Sequence, residues 1–273
     1  MTERKRKVAA VQMTSTDDVE ANLGATERLV RHAAEEGAEL ALVPECFAYL
    51  GPEAGKLPLA EPLPSGGPIL DRCRSLARST GLHLVLGGFW ERGDDPRKVR
   101  NACVHLDGAG EIRAVYRKIH LFDVDLPDGT KLEESATVEA GREAVVTDTP
   151  FGRLGLSVCY DLRFPELYRR LVGDGAIALA VPAAFTLTTG KDHWHVLLRA
   201  RAIEAQAYVI AAAQTGHHFG RRRSYGHALV CDPWGTVVAD CGGDGEGVAI
   251  GTIDPERVAA IRRSLPSLRH RVL

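Results

Sequence analysis

Cys159 closes an apolar stretch, Arg153 to Val158, that reads as a strand, and the residues after it read as a helix running toward Gly173. A thiol at such a turn lies near a helix N-terminus, where partial positive charge favours the thiolate. The arrangement is the cysteine counterpart of a nucleophile elbow. A strand-end cysteine also reads as packing, because cysteine is among the most buried residue types. Chemistry needs a base and a group to hold a developing oxyanion. Glu45 comes just after the wholly apolar run Leu40 to Val43, and Lys118 directly follows Ile112 to Arg117. Ligands collect outside the carboxyl ends of strands in open α/β architectures. Singly, Glu45 reads equally as a salt bridge closing a strand end, and Lys118 as a surface cation. Jointly they supply acyl transfer through a thioester. Cys159 attacks, Glu45 takes the thiol proton and passes one to the leaving amine, and Lys118 sits by the oxyanion with the backbone N–H of Tyr160. Glu45 would then activate water to hydrolyse the thioester. Glu134, in a long loop, would hold Lys118. Arg163, one helical turn beyond Cys159, suits bidentate capture of a substrate carboxylate.

The elements that must position these groups follow from spacing. Lys7 to Gln12 is expected as a first strand. Asp17 or Asp18 caps a helix from Val19 to Glu36 with Gly37 as its stop. A second helix spans Ile69 to Thr80, ending at Gly81, and Leu82 to Phe89 is a third strand. Ala102 to Leu106 and Ile112 to Arg117 form a hairpin around Asp107-Gly108-Ala109-Gly110. Ile119 to Gly141 reads as a long irregular segment; its Phe122, Leu126 and Leu132 suggest that it is ordered and lines something. Strand and helix then alternate: Ile177 to Val181, a helix from His193 to Gln206, Tyr208 to Ala213, a hairpin around Asp232-Pro233-Trp234-Gly235, and Val248 to Ile253. Pro255 opens a last helix with Asp254 as cap. No repeat or linker divides the chain, so residues 1–273 are expected to form a single α/β domain, with helices outside and sheets inside.

The totals exclude several classes. A net charge of −2 and a pI near 6.6 give no basic field for nucleic acid. The Arg221-Arg222-Arg223 run reads as a solvated loop or a site for an anionic small molecule. No stretch approaches the ~20 apolar residues of a membrane span, and the N-terminus is no signal peptide, so a cytoplasmic location is the default. The six cysteines form no C-x-x-C pair and are expected as reduced thiols. His193 and His195 cannot share a helix face, and adjacent His217 and His218 have poor ligand spacing. Without HExxH-type spacing neither a metal nor a cofactor is expected.

Leu42-Val43-Pro44-Glu45, Tyr116-Arg117-Lys118-Ile119-His120-Leu121 and Cys159-Tyr160-Asp161-Leu162-Arg163-Phe164-Pro165-Glu166 occur in this order. Together they resemble the nitrilase superfamily of carbon–nitrogen hydrolases over essentially the whole chain. The resemblance implies a four-layer α-β-β-α sandwich, a Glu45-Lys118-Cys159 triad and Glu134 as the second glutamate. It also implies a homodimer packed through the helices after Cys159 and around His193 to Gln206. Within the superfamily the chain looks most like the Nit branch, which includes omega-amidase and deaminated-glutathione amidase. Leu86 to Arg92, Leu197 to Glu204, Ser224 to His227 and Leu265 to Arg271 lean toward the second; Phe185 to Gly190 also resembles the first. In that branch the substrate carboxylate maps to Arg163 and Thr189, and Tyr49 helps to shape the pocket. The implied activity is a cofactor-free amidase that hydrolyses the terminal amide of a small 2-oxo acid amide and releases ammonia. Deaminated glutathione is the first choice and 2-oxoglutaramate the second. A carbamoyl amino acid or a nitrile is more distant, and outside enzymes the readings are a catalytically silent binding subunit or a thiol redox protein.

Overall fold

The computed structural model describes residues 5–125 and 131–272. Leu126 and the first four residues of the basic N-terminus lie outside them. The apolar segments close into two sheets. In the first, Arg6–Met13 pairs in parallel with Leu40–Val43, which pairs in parallel with His83–Arg92. Antiparallel Val99–Leu106 and Ile112–Arg117 continue that side. On its other side Arg6–Met13 meets Gly247–Ile253 and, at its end, Ala213–Phe219. The second sheet runs in the order Val237–Asp240, Leu229–Cys231, Tyr208–Ala211, Ala178–Ala180, Gly152–Leu156 and Val145–Thr149.

Alternation along the strands sets the layers, because successive side chains point to opposite faces. Val8, Ala10, Leu40 and Leu42 join the core that contains Leu154, Leu156 and Leu179 of the second sheet. Their neighbours Ala9, Val11, Ala41 and Val43 pack instead with Leu29, Val30, Leu76 and Ala77 of the helices Val19–Glu35 and Pro68–Thr80. The helices Pro165–Gly173 and Leu187–Ala205 bring Tyr168, Leu171, Trp194 and Leu198 to the second sheet. The result is the expected α-β-β-α sandwich, and covering on both faces explains why the interior strands are wholly apolar. Asp18 caps the first helix by accepting from the Ala21 N–H at 3.0 Å. Gly81, at φ 71°, ends the second with its N–H on the Ala77 carbonyl.

Several segments differ from their sequence reading, among them the helix expected from His193, which begins six residues earlier at Leu187. Between Ile119 and Gly141 the chain forms a short strand pair, Asp123–Asp125 with Lys131–Glu133, and a 3-10 turn, Glu134–Ala136. The polar run after Cys159 is a 3-10 turn, Cys159–Arg163, that breaks at Phe164 before the helix starts at Pro165. Arg222–Tyr225 is a strand paired with Ala213–Phe219, where a loop was expected from the charge run.

Candidate active site

Glu45 and its neighbours leave the strand Leu40–Val43 through a tight turn in which Cys46 takes φ 61°. Room for that turn comes from a bulge in the adjacent strand at Gly87-Gly88, where the register slips between Leu86 and Phe89. A Cβ on Gly88 would come within 2.4 Å of the Cys46 backbone nitrogen and 2.8 Å of Glu45 Cγ. A Cβ on Gly87 would meet Pro182 at 2.2 Å. The two glycines thus let the glutamate loop and the Pro182 segment approach one strand.

Cys159 sits at φ 48°, in the left-handed region that non-glycine residues rarely occupy. Its N–H donates to the Pro182 carbonyl at 2.9 Å, which pins the turn against the neighbouring strand end. The Tyr160 N–H opens the 3-10 turn, and such first N–H groups have no carbonyl within the turn to receive them.

Asp161, fully buried, locks this turn to the lysine segment. It accepts from the Tyr116 hydroxyl at 2.7 Å, the Val158 N–H at 2.8 Å and the His120 N–H at 3.1 Å, and His120 Nδ1 lies 2.7 Å away. His120 in turn stacks on Phe164 at 3.7 Å. One carboxylate therefore fixes the Cys159 turn relative to Lys118.

The three charged groups meet at short range. Lys118 Nζ donates to Glu45 Oε1 at 3.0 Å and to Glu134 at 2.8 and 3.1 Å. Glu45 Oε2 accepts the Ala184 N–H at 2.9 Å, and Cys159 lines the same cavity as that carboxylate. Glu134 Oε2 also accepts the Phe122 N–H at 2.7 Å. Exposure is 5% for Glu45, 2% for Lys118 and 8% for Cys159, so these interactions are little screened by water.

Burial by itself would raise the Glu45 pKa, but Lys118 first and the neighbouring thiol second hold it below the ordinary glutamate value. Burial would likewise neutralise Lys118; the carboxylates of Glu134 and Glu45 outweigh it and keep the ammonium charged. For Cys159, burial and then the Glu45 charge push the thiol well above its usual range, against the pull of Lys118. The resting pair is therefore carboxylate and thiol, which corrects the expectation of a thiolate favoured by a helix end. A one-turn 3-10 element supplies little dipole, and the adjacent carboxylate opposes a second negative charge.

The expected site residues divide into three groups. Glu45, Lys118, Glu134 and Cys159 line one cavity of about 320 Å³. Cys159, Tyr160, Arg163 and Thr189 line a smaller cavity that shares Cys159, Phe122 and Ala184 with it. Tyr49 lines neither: its hydroxyl donates to the Pro52 carbonyl at 2.8 Å and its carbonyl accepts from Trp90, so it braces the glutamate loop from behind. Thr189 Oγ1 lies 2.8 Å from Thr186 Oγ1, and Arg163 lies against the rings of Tyr160 and Phe185.

Asn101 was not foreseen. Its Nδ2 donates to Glu45 Oε1 at 2.9 Å and to Glu134 Oε1 at 3.2 Å, so it spaces the two carboxylates beside Lys118. Replacing it with Leu removes that donor at similar volume. A hydrogen bond to a charged group contributes about 1.5–3 kcal/mol. We expect kcat to fall roughly 10- to 100-fold, with the acid limb of the pH–rate profile moved upward because the Glu45 carboxylate has lost a donor. A profile with the wild-type limb would remove Asn101 from this role.

Two other features stand apart. A surface hollow of about 900 Å³ contains no thiol, and its Arg100 and Arg117 are already paired with Glu139 and Glu91. His195 Nε2, His227 Nδ1 and Asp240 have their ligand-type atoms within 4.8 Å of one another, with both imidazoles bonded to the one carboxylate. No helix among the described residues is long and apolar enough to cross a membrane.

The carbon-nitrogen hydrolase family model matches residues 7–263. The chain is 47% identical over 267 residues to the deaminated glutathione amidase of Synechocystis sp., with 97% of each protein covered. The crystal structure of the C. elegans NitFhit protein is similar at a TM-score of 0.92 and 42% identity, over 100% of this chain and 66% of that one. An amidase from Nesterenkonia sp. AN1 is similar at a TM-score of 0.77 and 26% identity, over 96% of this chain and 98% of that one. That structure shows the result of Michael addition of acrylamide at the active site cysteine.

Proposed function

This chain belongs to the carbon–nitrogen hydrolase family, and from that premise we propose that it is an amidase working through a Cys159 thioester, with deaminated glutathione as its preferred substrate. The observation that carries the mechanism is the Lys118 ammonium clamped between Glu45 and Glu134, with the Cys159 thiol beside them at the wall of one cavity. Glu45 takes the thiol proton as sulfur attacks the amide carbon. Lys118 and the Tyr160 N–H receive the developing oxyanion. Glu45 returns the proton to the leaving nitrogen, and the amine departs. Water activated by Glu45 then releases the acid from the thioester.

The substrate's chemistry revises one expectation. In deaminated glutathione the scissile bond joins a 2-oxoglutaryl group to cysteinylglycine. The nitrogen therefore leaves as the dipeptide's amine and not as ammonia; ammonia is the product only with 2-oxoglutaramate. The test is a parallel assay of 2-oxoglutarate release from both compounds, alongside a carbamoyl amino acid and a nitrile. Deaminated glutathione should give the highest kcat/KM. Faster turnover of 2-oxoglutaramate would make the chain an omega-amidase, and no turnover of any would favour a silent binding subunit.

Arg163 and Thr189 are assigned to the carboxylate of the 2-oxo acid. Arg163→Ala should raise KM roughly 10- to 100-fold with a smaller change in kcat, since the contact exists in the ground state. A loss confined to kcat would contradict the assignment. The whole chain, residues 1–273, is taken as one catalytic domain acting in the cytoplasm. It is proposed to pair as a homodimer through the helix Leu187–Ala205, whose Val196 is 66% and Ile203 50% exposed. A sedimentation mass matching one 29.5 kDa chain would count against pairing.

A further inference from the structure

The two cavities that meet at Cys159 each contain an arginine with no carboxylate partner among the described residues. Arg163 lies in the smaller one with Thr186 and Thr189, and its side chain comes within 3.3 Å of His193 Nδ1. Arg222 lies in the larger one. The other cations of that larger cavity differ from it. Lys118 is held by Glu45 and Glu134, and Lys56 by Glu53 at 2.6 Å. Lys131 is an exposed residue, two positions from the equally exposed Glu133 on the same strand.

Arg222 is half-buried. Its Nη2 donates to the Ala184 carbonyl at 2.7 Å, and its Nη1 is buried with no hydrogen-bond partner. A buried charged donor without an acceptor is costly, and in native sites such a group signals a missing partner. A carboxylate would satisfy it, because guanidinium and carboxylate match as a two-point pair. In deaminated glutathione two carboxylates flank the scissile amide: one on the 2-oxo acid, one on the glycine of the leaving dipeptide. One such arginine lines each of the two cavities that share Cys159.

We propose that Arg222 receives the carboxylate of the leaving amine, so that the enzyme selects amides whose departing half is an anionic amino acid or peptide. The inference rests on the proposed amidase reading and extends it to the other side of the bond. It gives the isolated charge in the Arg221-Arg222-Arg223 run a task in substrate choice. Arg222 also grips Ala184, whose N–H holds Glu45, so a purely structural role must be distinguished from recognition.

The experiment compares two substrates with the same acyl group: 2-oxoglutaryl-cysteinylglycine and its C-terminal carboxamide. Wild-type enzyme should favour the free acid in kcat/KM by about 30-fold, the scale of losing one partner of a buried charged pair. In Arg222→Gln that preference should shrink to roughly threefold or less, and Arg222→Lys should retain an intermediate preference, since a point charge replaces the fork. A structural role through Ala184 would slow both substrates alike and leave the ratio intact; that result overturns the proposal, as does a wild-type ratio near one. If wild-type enzyme hydrolyses neither compound, the deaminated-glutathione reading fails and takes the proposal with it. If it hydrolyses both and only the ratio fails to respond, the amidase reading stands and the Arg222 proposal alone falls.

Discussion

Cys159→Ala is expected to abolish hydrolysis while leaving substrate binding and the fold intact. No other group in the cavity is placed to do its work. Cys46 is the nearest rival, since it also lines the cavity. Its pKa is raised by burial first and the Glu45 charge second, and it does not reach the second cavity, which Cys159 also lines. The substitution removes one sulfur from a site already in a left-handed conformation, a strain that alanine shares with cysteine. The stability cost should stay near 1 kcal/mol, because a small buried side chain is shortened by one atom. Two measurements check this. Calorimetry should still detect binding of deaminated glutathione to the variant. Wild-type enzyme quenched during turnover should carry the acyl increment on the peptide containing Cys159. An increment on the Cys46 peptide, or turnover by the variant above about one-thousandth of wild type, would displace Cys159 from the nucleophile's role.

What could be read in the chain beforehand was whatever depends on neighbours in sequence. The helix limits at Asp18 and Gly81 follow from capping residues acting within one turn. The wholly apolar Leu40 to Val43 announces an interior strand, and polar groups placed at strand ends stand out against such runs. The groups that were not legible depend on which distant strands lie side by side. Asn101 reaches Glu45 across 56 positions, Tyr116 reaches Asp161 across 45, and Arg222 reaches Ala184 across 38. Within its own segment Asn101 is only a polar residue on a strand, and Asp161 only a charge after a cysteine. Register in a sheet is set by the whole hydrophobic pattern and the turns, so these meetings follow from the assembled fold. The same holds for the thiol's state. A helix-end argument uses local geometry, whereas the burial and the carboxylate that keep Cys159 protonated come from elsewhere in the chain.

Because the thiol rests protonated, Glu45 must do the ionising, and Glu45→Gln should lower kcat by about 10³-fold, within the range for loss of a general base. This substitution is more informative than removing Lys118, which would leave Glu45 and Glu134 as buried, unpaired charges and endanger the fold. Glutamine keeps the volume, and its single oxygen can still accept from Lys118 or from Ala184, which bond to different oxygens of Glu45. The pH dependence gives the sign. Glu45 acts as carboxylate, and its folded pKa lies below the ordinary value of 4.5. Wild-type kcat should therefore hold as pH falls to 4.5 and decline only below it, as the carboxylate protonates. The variant should lack that limb. Alkylation by iodoacetamide separates the base from a mere spacer. In wild type the rate at Cys159 should still be climbing at pH 9, the ordinary thiol value, and show no plateau there, because the folded thiol lies well above it. In Glu45→Gln the opposing carboxylate charge is gone, so the alkylation profile should shift to lower pH even as kcat falls. If the variant's alkylation profile stays at the wild-type position while hydrolysis is lost, Glu45 does not act on the sulfur. Its part would then be confined to the leaving amine and the water.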